Sequence, residues 1–180
     1  MAEAAEYAQN ESQRLRVRLA RAEAYVAAGR RAEAVELYHA LAMAEPIDPM
    51  PAGVVEGDGG RTDWFVRPDL LGRRELMALI ERKGDASTRR KLEQLGRPMV
   101  DRLLAEFRQQ REAGSLRRPL ILKLERVAAL HPGTGVATDA IDALAEAIDD
   151  RGVFSVAEMS LRELVLEQPP ETALGAMTAL

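Results

Sequence analysis

Along most of this chain apolar residues recur at intervals of three and four, the period that places them on one face of an α-helix. Leu15, Leu19, Ala22 and Val26 are spaced by four, three and four, which predicts a first helix over residues 3–28, ended at Gly29. A second helix is predicted over 31–44, turning Ala34, Tyr38 and Leu41 inward. It closes at Pro46, because proline has no N–H for the preceding turn and its ring collides with it. Residues 45–68 then hold Pro46, Pro49, Pro51 and Pro68 with four glycines, and read as a linker or long loop. The best strand candidate, 63–67, is too short to form a sheet by itself.

Helical spacing resumes after Asp69, a good N-cap, with Leu70, Leu76, Met77 and Ile80 before Gly84. A longer helix is expected from Asp85 to Gly114, presenting Val100, Leu103, Leu104 and Phe107, with Pro98 predicted to kink or restart it. Residues 119–130 read as a largely buried helix with proline in its first turn. Over 137–150 the pattern is strongly amphipathic: Ile141, Leu144 and Ile148 oppose Asp139, Asp142, Glu146 and Asp150. Ser155 and Glu158 have capping-box spacing and open a last helix that Pro169 and Pro170 end. The expected fold class is all-α: a helical hairpin over 1–46, a Pro/Gly-rich loop over 47–68, a helical bundle over 69–168 and a tail over 169–180.

Residues 15–46 resemble a tetratricopeptide repeat, a helical hairpin of about 34 residues. The family's small first-helix residue falls on Ala22, its aromatic on Tyr25 and its turn glycine on Gly29; in the second helix the pattern gives Ala34, Tyr38 and Pro46. Arg18, Arg21 and Leu41 depart from the family pattern, and no second copy follows at the same period. The resemblance implies a helical-repeat type of hairpin used for protein–protein interaction rather than catalysis. A lone hairpin cannot bury its own apolar face, so it needs later helices or a partner.

Composition narrows the chemistry. The 180 residues contain no cysteine, which excludes disulfides, thiol nucleophiles and Cys-ligated metals and fits a cytoplasmic location. No apolar run is long enough for a membrane span, and the polar, acidic first residues give no expectation of a signal peptide. Twenty-two arginines against three lysines suggest a GC-rich bacterial genome. The net charge of −4 is segregated: residues 61–126 carry 17 basic and ten acidic groups, and residues 127–180 carry two and nine. Opposite fields of this kind favour internal docking or self-association between the basic middle and the acidic C-terminal segment.

Partner-binding candidates are Arg14, Arg18 and Arg21, a cationic stripe able to hold the carboxylates of an acidic peptide or segment, together with Tyr25 and the loop aromatics Trp64 and Phe65. The competing readings are a solvated helix face and aromatics that pin their own loop. The acidic stripe of residues 139–150 lies along one helix and cannot surround an ion unaided. Glu36 and His39 have the Glu-x-x-His spacing of di-iron bundles, but Ala128 stands where the second unit would need its glutamate before His131. Gly133-Thr134-Gly135 precedes a helix and loosely suggests an anion site, without the rest of a phosphate-loop motif.

No catalytic residue, metal or cofactor is therefore assigned. The expected function is a non-catalytic interaction module: an adaptor, assembly factor or chaperone-like subunit of a bacterial complex. One alternative is a regulatory protein binding nucleic acid through Arg73-Arg74, Arg89-Arg90-Lys91 and Arg117-Arg118, against which the acidic pI of about 5.4 speaks. Another is a small helical enzyme with an unrecognised cofactor.

Overall fold

The computed structural model describes residues 11–43, 50–57, 60–83, 86–167 and 177, of which 11–12, 50–57, 60–66, 81–83 and 167 by their backbone. The chain divides into two units, Met1–Thr88 and Arg89–Leu180. Seven helices dominate the described residues, as the periodicity predicts, and one two-stranded hairpin accompanies them. The expected tail, 169–180, lies almost wholly outside the described residues.

In the first unit, α1 (Glu11–Ala27) and α2 (Arg31–Ala42) form an antiparallel-type hairpin of packed helices. Gly29, at φ 73°, takes the left-handed conformation that lets the chain turn, and Arg30 N–H returns to the Tyr25 carbonyl at 2.8 Å. Ala34, Val35, Tyr38 and Leu41 of α2 are buried, and of the face that spacing selects on α1 Leu15 and Ala22 are buried, while Leu19 is half-buried and Val26 exposed. Small Ala22 and Ala34 allow the backbones to approach.

A third helix, α3 (Pro68–Lys83), packs on α2. Its Gly72 sits against the α2 backbone so closely that a Cβ there would lie 2.6 Å from Ala42 N and 2.7 Å from Leu41 Cβ. This contact places α3 in the first unit, so the division falls after Thr88 rather than at the loop. The helix begins at Pro68, one residue before the expected cap, and Asp69 instead accepts two hydrogen bonds from Arg67, at 3.2 and 2.6 Å.

Between α2 and α3 the stretch read as a loop forms an antiparallel hairpin, β1 (Met50–Gly57) and β2 (Gly60–Val66). Pairing runs from Met50 opposite Val66 to Gly57 opposite Gly60, with an irregularity between Pro51 and Gly53. The physical signal is Asp58-Gly59, a dipeptide favoured in two-residue hairpin loops, flanked by Val54-Val55 and Trp64-Phe65-Val66. Proline is tolerated on a two-stranded ribbon because each strand has an edge with no ladder bond to lose.

The second unit is built from α4 (Ala86–Glu112), which crosses the division, α5 (Arg118–Leu130), α6 (Gly135–Ala147) and α7 (Phe154–Glu167). Its core joins Val100, Leu103 and Phe107 of α4 to Leu120, Ile121 and Leu124 of α5, Ile141 and Leu144 of α6, and Leu161 and Leu164 of α7. Each fully buried Leu or Ile contributes about 1.5–3 kcal/mol relative to exposure. The helix α4 runs through Pro98 without the predicted restart. Pro98 removes one backbone donor from α4, and the two residues before it, Gly96 and Arg97, make close tertiary contacts with His131 and Asp139. At the last helix, α7 starts at Phe154, and Glu158 pairs with Arg162 at 2.7 Å rather than closing a capping box with Ser155. The Val153 and Phe154 amides donate to the Asp150 carbonyl instead, at 3.1 and 2.9 Å.

Candidate functional site

In the first unit, one flank of the three packed helices encloses a half-open cavity of about 420 Å³. Glu23, Val26 and Ala27 come from α1, Arg31 and Tyr38 from α2, and Glu75, Ala78 and Leu79 from α3. Helical spacing explains the α1 contribution. With Leu15 and Ala22 buried against α2, residues 23, 26 and 27 fall on one side of that seam. Arg14, Arg18, Arg21 and Tyr25 fall on the other side, so the predicted cationic stripe does not line the cavity.

Tyr38 is only 3% exposed, and its hydroxyl has no hydrogen-bond partner among the described residues. Burial, and then the negative charges of Glu75 and Glu23, push its phenol up to about 12, so it stays protonated at neutral pH. Glu75 also accepts from Arg74 Nη2 and Nε through its Oε1, at 2.6 and 3.0 Å. Arg31 is engaged in contacts of its own.

The predicted residues Arg14, Arg18 and Arg21 are exposed on α1. Arg21 is committed locally: its Nε donates to the Tyr25 hydroxyl at 3.0 Å. Arg30 covers the Tyr25 ring at 4.6 Å, and Arg21 lies 5.4 Å from the same ring. Arg30 in turn pairs with Glu33 at 2.7 Å. Tyr25 is thus the centre of an arginine pair that joins the end of α1 to the start of α2. Trp64 and Phe65 stand on β2, opposite Gly53 and Pro51, and their side chains lie outside the described residues.

The second unit answers two readings of the sequence. The helix N-terminus at Gly133-Thr134-Gly135 is filled by the protein's own carboxylate. Val136 N–H donates to Glu93 Oε2 at 3.2 Å, and the Thr134 hydroxyl caps the Ala137 amide at 3.3 Å. Arg97 donates to Glu93, at 3.0 Å through Nε, and to Asp139 through Nη1. Desolvation opposes ionisation of Glu93, but the bonds from Arg97, Val136 and Gly135 outweigh it and hold the carboxyl below its usual range. No vacancy for an external anion remains at that amide.

The acidic stripe meets the basic helix in the same unit: Asp139 pairs with Arg97 and Glu146 with Arg111. Part of the charge segregation is therefore spent in docking α6 on α4. His131, wholly buried, donates from Nδ1 to the Val127 carbonyl at 2.7 Å, and His39 is buried on α2. Among the described residues no group of three or more His, Asp or Glu side chains is placed to hold a metal ion. Nor, among them, is any helix long and apolar enough to cross a membrane. Of the basic clusters, Arg89, Arg90, Arg117 and Arg118 are exposed, while Arg74 is paired with Glu75.

No protein-family model matches this chain, and no match is found among curated proteins or solved structures.

Proposed function

We propose that the chain is a non-catalytic protein-interaction module, an adaptor or assembly factor of a bacterial cytoplasmic complex, whose first unit receives a segment of another protein. The observation that carries this reading is the cavity of about 420 Å³ bounded by α1, α2 and α3. Its size is that of a binding pocket, and its lining is largely apolar with a few polar groups, the composition that gives both affinity and orientation. Exposed Val26 at its rim adds apolar surface that a partner would cover. The tetratricopeptide-like pattern of residues 15–46 points the same way.

The test is capture by the full chain from a bacterial lysate, comparing wild type with Ala78→Phe. Ala78 is partly exposed and lines the cavity, so phenylalanine there fills it without entering the core. A stoichiometric partner held by wild type and lost with Ala78→Phe, at unchanged helical circular dichroism, supports the reading. A partner indifferent to the substitution, or no partner, refutes it.

A further inference from the structure

The lining of the cavity specifies more than its size. Val26, Ala27, Ala78 and Leu79 supply apolar walls, while two carboxylates against one guanidinium leave the charged groups net negative. Tyr38, a buried residue, lines the same cavity as both carboxylates, and its hydroxyl is unbonded among the described residues. That oxygen is not sealed off from solvent, so a donor seated in the cavity can reach it. Glu23, Glu75 and the Tyr38 oxygen together offer three acceptors. An alkylammonium carries three N–H donors on a flexible apolar stem, whereas a guanidinium carries a flat fork of five.

We propose that this cavity receives a lysine side chain from a partner polypeptide, its stem against Val26, Ala27, Ala78 and Leu79 and its ammonium among Glu23, Glu75 and Tyr38. The proposal rests on the reading of the first unit as a protein-interaction module, and it reverses the sign of the partner expected from the arginine stripe. Long basic side chains bury their methylenes while the charged head stays among polar groups, and the cavity is divided in that way. Arg31 and Arg74 limit the affinity; Arg74 occupies one oxygen of Glu75 and leaves the other.

The experiment is an amide NMR titration of the full chain with acetyl-Gly-Lys-Gly-amide, its norleucine counterpart and n-butylamine. The lysine peptide is expected to shift the amides of Val26, Ala27, Ala78 and Leu79, and the norleucine peptide to bind about tenfold more weakly. The double variant Glu23→Gln, Glu75→Gln should weaken the lysine peptide by about the same factor. Tyr38→Phe should weaken it a few-fold, about the worth of one hydrogen bond. Equal binding of norleucine, insensitivity to the double variant, or no shift with the lysine peptide overturns the proposal. Binding of n-butylamine as tight as the peptide overturns the polypeptide source and makes the ligand a free amine. If a partner sensitive to Ala78→Phe is captured while the lysine peptide fails, only the lysine assignment falls. If the lysine peptide binds but no such partner is captured, the interaction reading falls instead.

Discussion

The imidazole of His131 lies directly on Gly96: a Cβ at position 96 would come within 2.5 Å of Nε2 and 2.6 Å of Cδ2. Gly96 is in the interior of α4, where alanine would normally gain about 1 kcal/mol from helix propensity. Here the ring cannot swing aside, because its Nδ1 is held by the Val127 carbonyl at 2.7 Å. The Val136 side chain, 2.9 Å from the same Cβ position, closes the other side. Gly96→Ala is therefore expected to destabilise the second unit by a net of about 1–2 kcal/mol, overpacking outweighing propensity. Urea unfolding measures it, and adding His131→Ala should recover part of the loss through a coupling that a double-mutant cycle reads out.

Burial also makes His131 a source of acid sensitivity. Desolvation dominates and lowers its pKa below the ordinary value, more than the Val127 bond and the charge of Glu93 raise it. The unfolded chain thus binds this proton before the folded one does. The contribution is intact above about pH 6.5 and is lost as pH falls from there through the depressed folded value. Melting temperature should fall between pH 7.5 and 5 for wild type and change less for His131→Asn. A slope of equal size in the variant would assign the sensitivity elsewhere.

Glu93 performs two tasks that substitutions can separate. It accepts the Val136 amide at the start of α6 and pairs with Arg97. Glu93→Gln keeps a hydrogen-bond acceptor and loses charge, at a cost of about 1 kcal/mol; Glu93→Ala loses both, at about 2 kcal/mol. Because its folded pKa is lowered, the contribution of Glu93 is present above its unfolded value and lost as pH falls through the folded one, a window below that of His131. By contrast Arg111 and Glu146 are both substantially exposed, so Arg111→Ala should change stability by less than about 1 kcal/mol.

In the first unit the equivalent close approach is Gly72 against α2. The obstructing atoms are Ala42 N and the Tyr38 carbonyl oxygen, 2.6 and 2.9 Å from a Cβ, and backbone cannot yield as a side chain does. Gly72→Ala should cost about 3 kcal/mol or more by forcing α3 away from α2. Hydrogen exchange locates the effect: amides of α2 and α3 should lose protection while those of α5 and α6 keep theirs.

The sequence by itself determined the helical class, the faces of most helices and several of their ends. Ile141 and Leu144 are buried as their spacing requires, and the α1–α2 turn falls at Gly29, because both follow from helical geometry and one residue's conformational range. The hairpin at 50–66 was also encoded, in Asp58-Gly59, but prolines and glycines obscured it by signalling breakage more strongly than pairing.

Only the tertiary structure decided which face meets which. Spacing shows that Asp139 and Arg97 lie on helix surfaces, and nothing local states that residues 42 apart will pair, since a charge has many possible partners along a chain. The same holds for Glu93 as the cap of a distant helix, for Gly72 as the contact that draws α3 into the first unit, and for the cavity. Its eight lining residues come from three helices, and each is ordinary in its own segment. A periodic pattern fixes the direction of a side chain relative to its own helix axis; the surroundings of that side chain are set by packing between helices, which depends on the whole chain at once.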